Sequence, residues 1–252
     1  MLRNQGTIKQ VGIDRLIRLE WLDYALDLVL SGENPGEIKQ ELEARLSERF
    51  HNSPATTRGT LSKTVTILMK VWARTPERVE GLRTSSIKLL TRWPKTNRLP
   101  FHWGMMAAVY PFWASVSSQV GRLIRLQGSV AASQVQRRLC EIYGERETVS
   151  RRVRYVLRAF VDWRVMSETK SKGVYNQETF MIIENSALIA WLVEASLLSS
   201  LNGSASLKDL IEHPSLFPFK LTALSAESIV DHSPRLETIR HGLDENLIML
   251  KV

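Results

Sequence analysis

The sequence predicts a mainly α-helical chain in three parts. These are an N-terminal helical bundle (residues 1–115), a central helix-turn-helix closed by a β-hairpin (116–178), and a small α+β region (179–252). Three observations predict it. Apolar residues recur at helical spacing through most of the first 160 positions, and the period then switches to two around a glycine turn. Charge is also unevenly divided: residues 119–172 hold 12 Lys/Arg and 5 Asp/Glu, net +7, whereas residues 173–252 hold 5 and 10, net −5.

The first ten residues are expected to be loose, and Met1–Gly12 lacks the apolar core of a secretory signal. Leu16, Leu19, Leu22, Ala25, Leu26 and Val29 give a helix over 14–30, ended by Ser31-Gly32. Glu33-Asn34-Pro35 opens a second helix to about Phe50, and His51–Pro54 reads as a turn. A third helix runs from Pro54 or Ala55 through Trp72. Thr75-Pro76-Glu77 opens a fourth, which stops before Trp93-Pro94 because proline disfavours helix in the preceding residue. From Leu99 to Gly121 there is no Lys, Arg, Asp or Glu, a length that could span a bilayer. Pro111 and the polar residues after it point instead to two soluble helices meeting at Pro111, with no membrane contact.

Ser129 is read as the cap of a supporting helix with Ala132, Val135, Leu139 and Ile142 on one side. Tyr143-Gly144-Glu145-Arg146 makes the turn, where glycine can take positive φ at little cost. Glu147 or Thr148 then begins a helix whose Val149, Val153, Val156, Leu157 and Phe160 form one apolar stripe. Arg151, Arg154, Tyr155 and Arg158 project from the opposite side, with Ser150 near its start. After Phe160, Trp163, Val165, Ser167 and Thr169 alternate with Arg164, Met166, Glu168 and Lys170. Ser171-Lys172-Gly173 supplies the turn and Val174-Tyr175-Asn176 returns.

Further on, 180–199 reads as a buried helix containing Trp191, and Ser206 caps a short helix over 207–213. Pro214, Pro218 and the phenylalanines between them suggest an extended link. Residues 224–230 and 247–252 are expected as strands flanking a helix at 234–242.

A helix that seals one face and lines the other with guanidinium groups suits a groove of polyphosphate. Ser150, Arg151, Arg154, Tyr155, Arg158 and the opening Thr148 are the candidate DNA contacts on that helix. Lys170 and Lys172 would reach the adjacent backbone or the minor groove from the hairpin tip, and Ser133 and Gln134 would touch phosphate from the supporting helix. The competing explanation is a solvated face paired with Glu141, Glu145 and Glu147. No GxxxxGK[ST], GxGxxG or GxSxG pattern occurs, and His51, His102, His213, His232 and His241 have no metal-ligand spacing. No cofactor, metal or catalytic residue is expected, and the lone Cys140 suits a reducing cytoplasm.

Residues 116–176 resemble the winged helix-turn-helix superfamily of prokaryotic regulators. There a glycine-containing turn precedes a Thr-Val-Ser-Arg type helix start, here Thr148-Val149-Ser150-Arg151, followed by Val156-Leu157 and Phe160-Val161. Two departures stand out: the supporting helix and turn are long, and Arg164 sits where glycine is common before the first wing strand. The whole arrangement also resembles the BrxA component of BREX phage-defence systems. These resemblances imply a non-catalytic, cytoplasmic, double-stranded-DNA-binding accessory of a bacterial defence locus. Its other partners would be proteins of that locus, met through the acidic C-terminal region. The alternatives are a protein-interaction scaffold within a larger complex, or a transcriptional regulator.

Overall fold

The computed structural model describes residues 12–50, 56–93, 96–200, 202–241 and 245–251, and within them the chain is mainly helical. The loose segment expected at 1–10 and the turn at 51–54 lie outside the described residues.

α1 (Leu19–Leu30) begins five residues later than its apolar spacing suggests. Its first amide, Leu19 N–H, is capped from far away in sequence by the Asp162 carboxylate at 3.1 Å. The preceding residues lie along the core instead, with Ile13 and Ile17 fully buried and the Ile17 carbonyl accepting from Trp163 Nε1 at 3.0 Å. α2 (Pro35–Phe50) starts at a capping box: Asn34 Oδ1 accepts from Gly36 and Glu37 N–H, and Glu37 Oε2 accepts from Asn34 N–H. α3 (Thr56–Trp72) and α4 (Glu77–Arg92) complete the outer bundle.

The charge-free stretch divides at Pro111 into α5 (Leu99–Val109) and α6 (Pro111–Gln127). No helix among the described residues is long and apolar enough to cross a membrane. α5 is buried along its whole length, which explains why it shows no amphipathic period.

Gly128, at φ +74°, ends α6 in the left-handed region. Ser129 does not cap the following helix. It opens a strand, β1 (Ser129–Ala131), because Val130 fits the core and the strand backbone pairs with β3 (Val174–Gln177). α7 (Ala132–Tyr143) follows, with Val135, Leu139 and Tyr143 buried; Ile142, expected on that side, is 54% exposed and Tyr143 takes its place. Gly144, at φ +93°, supplies the turn into α8 (Glu147–Asp162). β2 (Met166–Glu168) and β3 form the hairpin, and the sheet order is β1-β3-β2, antiparallel throughout.

The period-two reading after Phe160 starts too early. Trp163 still belongs to the end of α8, and Val165 and Met166 are both buried. The helix closes with Val165 N–H donating to Phe160 O (2.9 Å) and Arg164 N–H to Val161 O (3.0 Å). This closure requires a left-handed residue at Arg164, whose φ is +55°.

In the last third, residues 181–183 form β4 (Met181–Ile183) rather than the start of a helix, and α9 (Ser186–Ser199) begins after its cap Asn185. β4 gains a parallel partner in β6 (Phe219–Leu221), so the expected extended link is a 3-10 turn over Pro214–Leu216 followed by a strand. β5 (Ser204–Ser206) precedes α10 (Leu207–Ile211), which Ser206 caps as expected. Helix and strand exchange places beyond that. α11 (Ala226–His232) replaces the strand read at 224–230, because the Ser225 hydroxyl caps Ser228 N–H. β7 (Leu236–His241) replaces the helix read at 234–242, because its backbone pairs with β8 (Glu245–Leu250).

One aromatic cluster ties these parts together. Trp103 of α5 stacks on Phe160 of α8 at 4.9 Å between ring centroids. Trp113, Trp163, Phe217 and Phe219 surround the pair. Gly104 permits the close approach of α9, since a Cβ there would collide with the Trp191 ring.

Candidate nucleic-acid interface

α8 presents the arginines because its other face is fully committed. Val149, Val153, Val156, Leu157 and Phe160 are buried, as the stripe predicted, and so is Ala159; the face packs on α6 and α7, and Phe160 also meets Trp103 of α5. Rotating the helix would expose that face, so the outward direction of Arg151, Arg154 and Arg158 follows from core packing. All three are exposed, and none has a carboxylate within ion-pair distance among the described residues. Glu141, one of the three expected neutralisers, pairs instead with Arg137 and Arg138 on its own helix (3.9 and 3.3 Å). Glu147 shares the exposed face and forms no ion pair among the described residues.

The other predicted contacts differ in their freedom. Thr148 is exposed at the start of α8, and Ser133 is exposed at the start of α7. Gln134 is half-buried and its Oε1 accepts from Gln127 Nε2 at 3.0 Å. Ser150 turns toward α7: its carbonyl accepts from Gln136 Nε2 at 3.1 Å and its hydroxyl lies 3.5 Å from Cys140 Sγ. Tyr155 is half-buried on the opposite flank, lining a cleft of about 490 Å³ with Trp21, Arg15, Arg18 and Arg49 of the N-terminal bundle. The helix thus has an open central row of arginines and two occupied flanks.

Lys170 and Lys172 stand exposed at the hairpin tip. The hairpin is held at its tip. Gly173, at φ +77°, makes the turn, and its carbonyl accepts from Ala132 N–H at 2.8 Å, fixing the tip to the start of α7. Tyr175 of β3 lies beneath, its phenol pushed up by burial and then by Glu168, with Arg158 acting in the opposite sense.

Sequence reading missed part of the positive surface. Arg146, at the cap position of α8, and Arg152, on its flank, both lie beside the bundle's α3 and α4. Only the fold brings these distant segments together, so no local pattern signals them. Among the described residues no group of three or more His, Cys, Asp or Glu is placed to hold a metal ion. No family model, no curated protein and no solved structure matches this chain.

Proposed function

We propose that the protein binds double-stranded DNA without catalysing a reaction on it, using residues 116–178 as a winged helix-turn-helix. In this reading α7 supports, α8 enters the major groove and the β2–β3 hairpin is the wing. The observation that carries it is the row Arg151, Arg154, Arg158: three exposed guanidinium groups, without carboxylate partners among the described residues, on a helix anchored by a buried aromatic. Guanidinium groups so placed can grip guanine edges bidentately or hold phosphates. The strand order β1-β3-β2 and the two lysines at the hairpin tip support the same reading.

The test is fluorescence anisotropy with a 30-base-pair duplex across a salt series. Affinity is expected to fall steeply with salt, because each neutralised phosphate releases counterions and contributes roughly 0.9 to the log–log slope. The triple variant Arg151→Ala, Arg154→Ala, Arg158→Ala should weaken binding and flatten that slope by roughly 2 to 3. No duplex binding by folded protein at low salt would refute the reading.

The resemblance to BrxA extends the proposal to a cytoplasmic accessory of a phage-defence locus. Deleting the gene in its native host should then raise phage plating efficiency, and unchanged plating would remove that extension. A second reading, a protein-interaction subunit, is favoured by Phe180 and Ile182, which are 60% and 59% exposed within the acidic C-terminal region. Loss of a locus-encoded partner from co-purification with Ile182→Asp, duplex binding unchanged, would support it.

A further inference from the structure

A cleft of about 780 Å³ lies between α3, the α5–α6 junction and the first turn of α8. Its size falls in the range of ligand sites, roughly 300–1,000 Å³. Its lining is strongly one-signed: Lys63, Lys70, Arg78, Arg146 and Arg152 face a single carboxylate, Asp14. That carboxylate is already shared by Lys63 (3.4 Å) and Arg15 (3.6 Å). Lys70, Arg78, Arg146 and Arg152 form no ion pair among the described residues. Five cations converging on one concavity repel each other, and the fold supplies almost nothing to offset them.

Two further features point to an anionic guest. Tyr110 lines the cleft and is only 7% exposed, yet its hydroxyl has no hydrogen-bond partner among the described residues. Burial, with Asp14 adding to it, pushes this phenol up, so it stays protonated and able to donate. α8 also opens at the rim without a side-chain cap, leaving its first amides to meet a negative group at the positive end of the helix dipole. Arg78 is held in position by the carbonyls of Ala108 (2.6 Å) and Leu198 (3.0 Å). Beneath this rim Ile67, Val109 and Val149 provide an apolar floor.

We propose that this cleft is a second phosphate-binding site, separate from the exposed arginine row of α8, and that it takes a phosphate-bearing ligand. The phosphates come either from a free nucleotide or from the backbone of a duplex running past the start of α8. Because Arg152 and Thr148 belong to α8, a ligand here touches the same helix as the arginine row.

The experiment uses the full chain and two probes. ATP binding is measured by calorimetry, and 30-base-pair duplex binding by anisotropy. Lys70→Gln and Arg152→Gln are the test variants because neither side chain carries a structural hydrogen bond among the described residues, and thermal melting confirms that they fold. The Arg151, Arg154, Arg158 triple alanine variant is the control. A free-ligand site gives saturable ATP binding that falls at least tenfold in both test variants and persists in the control. A backbone site gives no ATP binding, while each test variant lowers the duplex salt slope by about 1. If neither probe responds to either substitution in folded protein, the proposal is overturned. ATP binding without any duplex binding would support the cleft while removing the winged-helix reading, so the two stand or fall separately.

Discussion

α5 and α8 pack against the same aromatic cluster and treat polar groups in opposite ways. α5 is enclosed on every side, and its polar atoms are matched. Trp103 Nε1 donates to the Ser215 carbonyl at 2.9 Å, and His102 is bonded at both ring nitrogens. α9, which packs on α5, follows the same rule: Trp191 Nε1 donates to Leu82 O, and buried Glu194 accepts from Ser233 and Arg235. α8 seals one side equally well and leaves its arginines without carboxylates among the described residues. The contrast separates two uses of charge. Inside, an unpartnered polar group costs several kcal/mol, and the fold supplies partners for Trp103, His102, Trp191 and Glu194, with Trp113 Nε1 and Arg15 Nε the buried exceptions among the described residues. On α8 no carboxylate inside the described fold pairs with the three arginines, which leaves them open to the polyanion proposed above.

The sharpest test of the interior rule is Arg235→Leu. Arg235 places Nε 2.7 Å from Glu194 Oε1 and reaches Ser85 Oγ at 2.7 Å, joining α4, α9 and the C-terminal hairpin. Removing it leaves a buried carboxylate with only the Ser233 hydroxyl, and a loss of about 3–5 kcal/mol is expected in urea unfolding. Duplex affinity of the folded fraction should not change. A loss below about 1 kcal/mol would mean that the core tolerates an unmatched carboxylate, and the contrast with α8 would weaken.

A pH titration of stability probes the same rule at His102. Trp72 Nε1–H donates to Nδ1 at 3.1 Å, so the ring proton sits on Nε2 and donates to Asp23 Oδ1 at 3.0 Å. Burial holds the His102 pKa below its usual value, and this outweighs the opposing pull of Asp23. Burial pushes the Asp23 carboxyl up, but the His102 hydrogen bond and the charges of His102 and Arg98 together bring it below the ordinary value. For the histidine, the unfolded chain takes up a proton near its ordinary pKa of about 6.5 while the folded chain resists. Stability is therefore full above about pH 6.5 and declines as pH falls toward the depressed folded value. Asp23 adds a further loss in the carboxylate range, in the same direction. His102→Gln should flatten the first decline in chemical denaturation series between pH 7 and 5.

What was readable in the sequence divides along the same line. The α8 stripe was legible because a helix buried on one side prints its period on the chain, as Val149 through Phe160 do. α5 prints none, and only the length to Pro111 marked it. The exchange of helix and strand at residues 224–242 has a different cause. Short apolar segments carry too few turns to fix a period, and the Ser225 cap and the β8 pairing decided the outcome. Ser129 was misread as a cap because its strand partner lies 47 residues away, at Asn176. The cationic cleft was invisible because its residues run from Gly12 to Arg152 and converge only in the fold.

Arg164 supplies a smaller test, since it joins the anchored helix to the exposed hairpin. Its φ of +55° is a conformation glycine adopts freely, and its side chain is exposed. Arg164→Gly should raise stability by up to about 1 kcal/mol, less the entropy that glycine adds to the unfolded chain. A loss of stability in thermal melting would show that the Arg164 side chain makes a contribution its exposed position does not suggest.

The smallest expected effect on stability is the most telling for α8. Exposed side chains without partners contribute within about 0.5 kcal/mol each when removed. The three α8 arginines also repel one another, so replacing them with alanine, the best helix former, should leave stability unchanged or slightly higher. Phe160→Ala on the opposite side of the same helix should cost about 3–5 kcal/mol, because it empties the space between Trp103 and Trp113. Urea unfolding of the two variants measures the two faces of one helix against each other. If the arginine variant lost as much as the Phe160 variant, the arginines would be holding the fold together. The outward-facing row would then no longer argue for an external polyanion.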